Sequence, residues 1–366
     1  MGEEHTLHEL LYRRLRKLIL SGALSKGARL PSSRTLALNW GVSRNSVLTA
    51  LDRLVADGWI EARRGSGVFV AYEGKQPRSA NRPRSKPVAG LLPFGIVNGP
   101  ADLFPVAIWK RLQSRQWNRT RNVALNAEFP AGVPELQEAI AAHLATSRGL
   151  ECAPEQVIIT TSIRSGLDLA IRALDLRGAC GFSEDPGYFN AWQSLSFSGV
   201  RMHPVPIDEQ GFDIELVKSE VPEARFALVV SASQFPMCIA MSESRRKALV
   251  HWALEQGRWI FEDDYDWHSG MGAPLPAPIA AFERQRTMYF GSFHQLLFRG
   301  VRIGFVVVPP ALIDRFTAAN SALEAYGDVP KQIVLADFIA GGHLDAHLRR
   351  LRTALAERRN ALLTAI

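Results

Sequence analysis

Residues 42–58 read VSRNSVLTALDRLVADG, and their reading decides the first fold of the chain. Ser43 is a natural helix N-cap, because its side-chain oxygen accepts an amide that the first turn leaves orphaned. Val42 before it and Val47 inside it fit a hydrophobic staple, and Val47, Ala50, Leu51 and Leu54 make a stripe for burial. Gly58 closes the helix. The groups left outward at its N-terminal end are Ser43, Arg44 and Asn45, short or forked polar side chains suited to base edges and phosphates.

Working outward, PSSRTLALNWG (31–41) reads as a short helix capped by Ser32 or Ser33 and ended near Gly41. The glycines and proline of SGALSKGARLP (21–31) before it break regular structure. TLHELLYRRLRKLIL (6–20) opens on a T-x-x-E capping box, Thr6 with Glu9, and repeats Leu7, Leu10, Leu11, Leu15 and Leu18 along a helix. On the other side, WIEARRGSGVFVAY (59–72) reads as two strands joined by Gly65-Ser66-Gly67, with Arg63 and Arg64 at the base of the turn. A helix, a helix-turn-helix and an arginine-tipped hairpin in this order make a winged helix, fit to touch backbone phosphate or the minor groove.

Charge supports the same division. The net +7 splits into 16 Lys and Arg against 7 Asp and Glu over residues 1–90, and 27 against 29 over the rest. A basic head on a near-neutral body points to a polyanion partner for the head, although a solvated basic face has the same composition. At 366 residues and 47% hydrophobic content the chain buries real cores, in two or three domains. The start, MGEEHTLHEL, is acidic and lacks the pattern of a signal peptide, and no apolar run is long enough for a bilayer, so a cytoplasmic protein is expected. Cys152, Cys180 and Cys238 form no CxxC pair and have no His at ligand spacing, so neither disulfides nor zinc is indicated.

Residues 73–90, EGKQPRSANRPRSKPVAG, carry three prolines, five Lys or Arg and no aromatic residue, and read as a solvated linker between a head over 5–72 and a body over 91–366. In the body, short β-rich runs alternate with amphipathic helices such as ESRRKALVHWALEQG (243–257). The runs are QVIITT (156–161), ACGFS (179–183), VRMHPV (200–205), RFALVVS (225–231), RWIFED (258–263), TMYFG (287–291) and VRIGFVVV (301–308). Such alternation predicts an α/β fold with a largely parallel sheet, covered on both faces, and ligands at the carboxyl ends of its strands. Three strand ends carry chemistry. Thr161, Ser162 and free amides near Ile163 open a helix after a strand and suit an anion, although ordinary capping by Ser162 explains them as well. Tyr188 follows a turn in SEDPGYFNAW (183–192). FEDDYDWH (261–268) gathers Glu262, Asp263, Asp264, Tyr265 and Asp266 without metal-ligand spacing, which favours a solvated strand end or an organic-cation site over a metal.

The head resembles the DNA-binding domain of the GntR family of bacterial regulators in GARLPSSRTLA (27–37), GVSRNSV (41–47) and DGWIEARRGSGVFV (57–70). That resemblance implies DNA contacts from Arg34, Ser43, Arg44, Asn45 and Ser46, and wing contacts from Arg63, Arg64 and Gly65. The body resembles the aminotransferase-like domain of MocR-type regulators, a fold type I domain of pyridoxal phosphate enzymes. The matching motifs are LFPVAIW (103–109), FPAGVPELQEAIAAHLATSRGL (129–150), SEDPGY, QFP (234–236), FEDDYD, GSFHQLLFRGVRIGF (291–305) and HLRRLRTALAERRNALL (347–363). It implies that Asp263, or Asp264 one step away, pairs with the cofactor's pyridinium nitrogen. Tyr265 then lies by the phenolic oxygen, Tyr188 stacks on the ring, Ser162 and Ile163 belong to the phosphate turn, and Arg302 holds the phosphate.

Against that pattern the chain departs at the decisive place. The family's Ser-Lys is His294-Gln295 here, and only a primary amine forms the Schiff base that holds the aldehyde cofactor and shuttles protons. The body's lysines are Lys110, Lys218, Lys247 and Lys331, all in segments away from this turn. The Ser-Gly-x-Gln phosphate turn is Thr161, Ser162, Ile163 and Arg164. Ser233 replaces the His before QFP, and Met237-Cys238 replaces Thr-Gly. The family also continues, past the place of Ile366, into a small C-terminal domain with the arginine for a substrate carboxylate. The expectation is a sequence-specific DNA-binding transcriptional regulator, homodimeric, with no catalytic residues, no metal, a body truncated relative to the family, and at most noncovalent pyridoxal phosphate or another small-molecule effector. The alternative is a pyridoxal phosphate-dependent aminotransferase with an accessory DNA-binding head.

Overall fold

The computed structural model describes residues 7–63, 65–72, 101–119, 128–265, 275–324 and 326–365. They fall into two compact units, Met1–Gly95 and Ile96–Ile366. In the first, α1 (Leu7–Leu20), α2 (Ser33–Trp40) and α3 (Arg44–Ala56) precede the antiparallel pair β1 (Ile60–Arg63) and β2 (Gly67–Val70). The α1 core face is Leu11, Tyr12, Leu15 and Ile19. Leu7 and Leu10, expected on it, are exposed, because at 100° per residue Leu10 lies nearly opposite the middle of that face. Thr6 of the expected capping box is outside the described residues, and Glu9 is engaged by Arg13 and by Arg53 of α3.

Ser32, not Ser33, caps α2, its Oγ accepting the Thr35 amide at 3.1 Å, and Ser43 does the same for Ser46 at 3.1 Å on α3. Val42 packs on the core that contains Val47, as the staple requires. The stretch before α2, read as a break, instead lays a third edge along the wing: the Leu30 amide donates to the Val68 carbonyl at 2.8 Å, and Val70 to Ala28 at 2.9 Å. Burial of Leu30 holds that edge in place. At the other end of the hairpin the Trp59 carbonyl accepts both the Ala71 and Tyr72 amides. The Trp59 and Tyr72 rings lie 4.2 Å apart, and Arg16 sits over Trp59.

The second unit runs through α4 (Val106–Arg119), α5 (Pro134–Arg148), β3 (Val157–Thr160), α6 (Ile163–Ala173), β4 (Cys180–Asp185), α7 (Phe189–Phe197), β5 (Arg201–Asp208), β6 (Gly211–Phe212) and α8 (Ile214–Val217). It continues with β7 (Phe226–Val229), α9 (Glu243–Gln256), β8 (Trp259–Asp263), β9 (Thr287–Ser292), β10 (Gly304–Val307), α10 (Ile313–Ala322), α11 (Val329–Ala340) and α12 (His343–Ala365). The strands form one sheet in the order β3-β10-β9-β8-β7-β4-β5-β6. Its centre, from β9 to β5, is parallel, while β10 runs antiparallel to both neighbours and β6 antiparallel to β5.

Because successive strand residues point to opposite faces, each strand feeds two cores. Ile158, Phe226, Leu228, Phe261, Met288, Phe290 and Val306 pack under α6, α7 and α10. Their neighbours Ile159, Tyr289, Phe305 and Val307 pack with α4, α5, α11 and α12, and Ala227, Val229 and Ile260 pack with α9. Both faces are therefore dry, which explains the near-continuous apolar runs.

The same alternation sorts the acids at the end of β8. Glu262 and Asp264 fall on the α5 and α9 face. Glu262 accepts the Ile279 and Ala280 amides at 2.8 and 2.9 Å and the Ser231 hydroxyl. Asp264 accepts Arg148 Nε at 2.9 Å and the Tyr289 hydroxyl at 2.9 Å, all within the core. Removing one partner of such a pair leaves an uncompensated buried charge. Asp264→Ala is expected to lower the stability of the body by about 3–5 kcal/mol in urea unfolding. Lys247→Ala, which breaks an exposed pair with Glu243, is expected to change it by less than about 1 kcal/mol.

Candidate functional site

A cavity of about 290 Å³ opens at the carboxyl ends of the strands, on the α6 face of the sheet. Four segments build it: the β3–α6 turn with Thr161, Ser162, Ile163 and Arg164; the segment after β4 with Tyr188 and Asn190; the end of β8 with Asp263 and Tyr265; and the β9–β10 connection with His294, Gln295, Arg299 and Arg302. Phe235 completes the lining, edge-on to both Tyr188 and Tyr265 with ring centroids 6.0 and 5.9 Å away. A Cβ on Gly304 would stand 2.8 Å from the Ser162 carbonyl carbon, so a side chain there would push the β3–α6 turn off β10.

Every residue read as cofactor-binding lies on this cavity: Ser162, Ile163, Tyr188, Asp263, Tyr265 and Arg302, with Gln295 beside them. Asp264, the rival of Asp263, does not, being turned into the Arg148 pair on the opposite face. The turn differs from expectation in one respect. The Thr161 and Ser162 amides are already taken, by Ser165 Oγ at 3.1 and 2.9 Å, while Ser162 Oγ caps the Ser165 amide at 3.1 Å. The first-turn amides of Ile163 and Arg164, which have no intrahelical acceptor, are what the helix offers an anion.

Three electrostatic features mark the cavity. Asp263 is only 3% exposed, and its Oδ1 has no hydrogen-bond partner among the described residues. Burial, then the neighbouring Asp264 and Glu184, push its carboxyl up to about 8. Glu184 behind it, pushed up to about 7 by burial, accepts the Val230 amide at 3.1 Å and Gln234 Nε2 at 3.3 Å. His294, its Nδ1 2.7 Å from Ser292 Oγ, is held below the usual imidazole range by burial and then by Arg299, Arg164 and Arg302, which favours the neutral ring. None of the described lining residues is a lysine. Lys218, Lys247 and Lys331 pair with Glu215, Glu243 and Asp328 on their own segments, and Lys110 lies exposed on α4.

The sequence reading missed Asn190, Phe235 and Arg299 as lining residues, although Arg299 stands three positions before Arg302 in the same connection. Arg164 stands in the sequence only as a departure from the family's turn.

In the head, Arg34, Ser43, Arg44 and Asn45 are exposed, and Arg44 Nε donates to Ser33 Oγ at 3.3 Å, bridging α2 and α3. Ser46 is half-buried with its Oγ 2.8 Å from Ser43 Oγ, so its hydroxyl serves the cap. Arg63 stacks over Phe69 and pairs with Glu61 at 2.6 Å, and Gly65 is exposed at the hairpin turn with φ +76°. Arg64 lies outside the described residues.

A winged helix ahead of an aminotransferase-type sheet, with a pocket at the ends of its parallel strands, defines a composite class: a DNA-binding head joined to an aminotransferase-like body. Residues 7–70 match the bacterial regulatory proteins of the gntR family, and residues 97–366 match aminotransferase class I and II. The probable rhizopine catabolism regulatory protein MocR of Rhizobium meliloti is 35% identical over 378 residues, covering 98% of this chain and 76% of the relative. The pyridoxine biosynthesis transcriptional regulator PdxR of Corynebacterium glutamicum is 31% identical, covering 96% and 76%. TauR of Rhodobacter capsulatus is 30% identical, covering 100% and 80%. Among solved structures, the kynurenine aminotransferase of Pyrococcus horikoshii superposes with a TM-score of 0.65 at 25% identity, over 74% of this chain and 69% of that one. The chain belongs to the MocR type of gntR-family regulators. GntR heads bind DNA, and class I and II aminotransferase domains generally bind pyridoxal phosphate.

The Asp263 carboxyl gives a test of the cavity. Its folded value of about 8 stands above the ordinary 3.8, so folding favours the protonated form. Its contribution is fully present below about pH 4 and is lost as pH rises toward 8. Asp263→Asn is expected to stabilise the ligand-free body by about 1–3 kcal/mol at pH 8.5 and by clearly less at pH 5, read as melting temperatures. An equal shift at both values would contradict the assignment.

Proposed function

We propose that this chain is a transcriptional regulator that binds double-stranded DNA sequence-specifically as a cytoplasmic homodimer and catalyses no transamination. In this reading the head spans 5–72, the tether 73–90, and the body 91–366 supplies dimerisation and an effector pocket. One winged helix contacts too few base pairs for high selectivity, which favours two heads per site. The observation that carries the non-catalytic reading is Gln295 in the cavity wall, with no lysine among the described residues around it.

The cavity fits the noncovalent part of pyridoxal phosphate recognition. The unpartnered Asp263 Oδ1 suits a pyridinium N–H, Tyr188 a ring face, Tyr265 a phenolic oxygen, and Arg302 with the α6 amides a phosphate. It does not fit covalent attachment, since the Gln295 amide has no nucleophilic lone pair and a neutral His294 offers no stable imine. The cofactor's contribution, when an enzyme holds it through lysine, is an electron sink. Here the surrounding side chains bind and orient a ligand, and the energy of that binding is available to bias the head.

In the head, Ser43, Arg44, Asn45 and Arg34 form the base- and phosphate-contacting group, and Arg63, Arg64 and Gly65 form the wing contact. Arg44→Ala is expected to weaken binding to the site found by footprinting DNA beside the protein's own coding region by about 1–3 kcal/mol, and to weaken random DNA less. Equal affinity of the unmodified protein for specific and random DNA would remove the regulatory reading. Separately, treatment with pyridoxal phosphate and then borohydride is expected to leave no stoichiometric adduct. A single adduct at Lys110, Lys218, Lys247 or Lys331 would restore the aminotransferase reading.

A further inference from the structure

Arg164, Arg299 and Arg302 come from two different connections yet line one cavity. All three side chains are exposed at its rim, and among the described residues none of them makes an ion pair. Among the described residues the lining holds a single carboxylate, Asp263, which a ring N–H would engage. A phosphate monoester carries about −1.5 to −2 charges at neutral pH. Set against three guanidinium groups, it leaves about one positive charge over once the ligand has excluded water from between them.

Arg164 of the β3–α6 turn and Arg299 of the β9–β10 connection line the cavity together with His294 and Gln295. The His294-Gln295 corner is where the family's lysine amine would meet the ligand's aldehyde carbon. It now presents an amide and a neutral imidazole in a wall that also carries the Arg164 and Arg299 guanidinium groups, a set that donates to oxygen anions and forms no bond to carbon.

We propose that Arg164 and Arg299 form a second anion subsite beside His294, so that the cavity takes an aromatic phosphate bearing a carboxylate where an aldehyde would otherwise stand. The inference rests on the reading of the cavity as a noncovalent seat for a pyridoxal phosphate-like ring. Charge, not carbonyl reactivity, then selects the ligand. The three arginines remain hydrated in the empty cavity, so carrying them costs the free protein little.

The test compares three probes on the full chain by titration calorimetry at fixed salt: pyridoxine 5′-phosphate, pyridoxal 5′-phosphate and 4-pyridoxic acid 5′-phosphate. They share ring and phosphate and differ in the substituent at the contested corner. The carboxylate probe is expected to bind about tenfold or more tighter than the alcohol probe. In the double variant Arg164→Gln, Arg299→Gln the carboxylate probe should fall to within about twofold of the alcohol probe, losing about tenfold or more beyond what the alcohol probe loses, while Arg302→Gln weakens all three. Both double-variant positions are exposed, and unchanged melting would show that the fold survives. Equal affinity of the unmodified chain for the three probes overturns the second subsite alone, as does a double variant that weakens them all in proportion. Binding of none of them overturns this proposal and the cofactor-like seat together.

Discussion

Three consecutive acids at the end of a central strand set the constraint on which the body depends. Glu262, Asp263 and Asp264 are all nearly inaccessible to solvent, and pleating sends the middle one to the face opposite the other two. A buried carboxylate persists only with partners. Glu262 has two amides and a hydroxyl, and Asp264 has Arg148 and Tyr289. Asp263 carries a buried side-chain oxygen with no hydrogen-bond partner among the described residues, and it lines the cavity. The cost of that unmet group is the physical ground for the proposal that the pocket takes a ligand with a hydrogen-bond donor.

Most of this arrangement was legible in the sequence. The Ser43 cap, the staple, the Gly58 stop and the paired strands after it are local rules, and each holds. Local rules failed where tertiary contact decides: the edge at Ala28–Leu30 forms because the wing supplies it with partners, and Leu10 turns outward although its spacing looks helical and apolar. Choosing between Asp263 and Asp264 needed the parity of β8 relative to Phe261, which lies under α6, and that follows only once the sheet is built. Phe235 and Asn190 carry no local signal of a pocket. They reach it because β4 and β7 are neighbours in the sheet.

The exchange of residues around the pocket has an internal consistency. An amine able to make a covalent bond has no counterpart at Gln295, while guanidinium groups stand at three positions of the surrounding wall, Arg164, Arg299 and Arg302. Affinity without a covalent link has to come from shape, ring contacts and fixed charge. In the proposed reading such a seat would release its occupant at a rate set by noncovalent contacts alone, which suits reading a concentration better than turning over a substrate.

The pinning of the last residues of the head has a mechanical meaning. Because one carbonyl, that of Trp59, holds the amides of both Ala71 and Tyr72, and because the two rings and Arg16 are packed together there, the chain leaves the head from a fixed anchorage shared by the hairpin and α1. Tension applied further along the polypeptide is therefore delivered to the base of the wing and to the first helix at once. Tied down in this way, the last residues of the head are held against fraying.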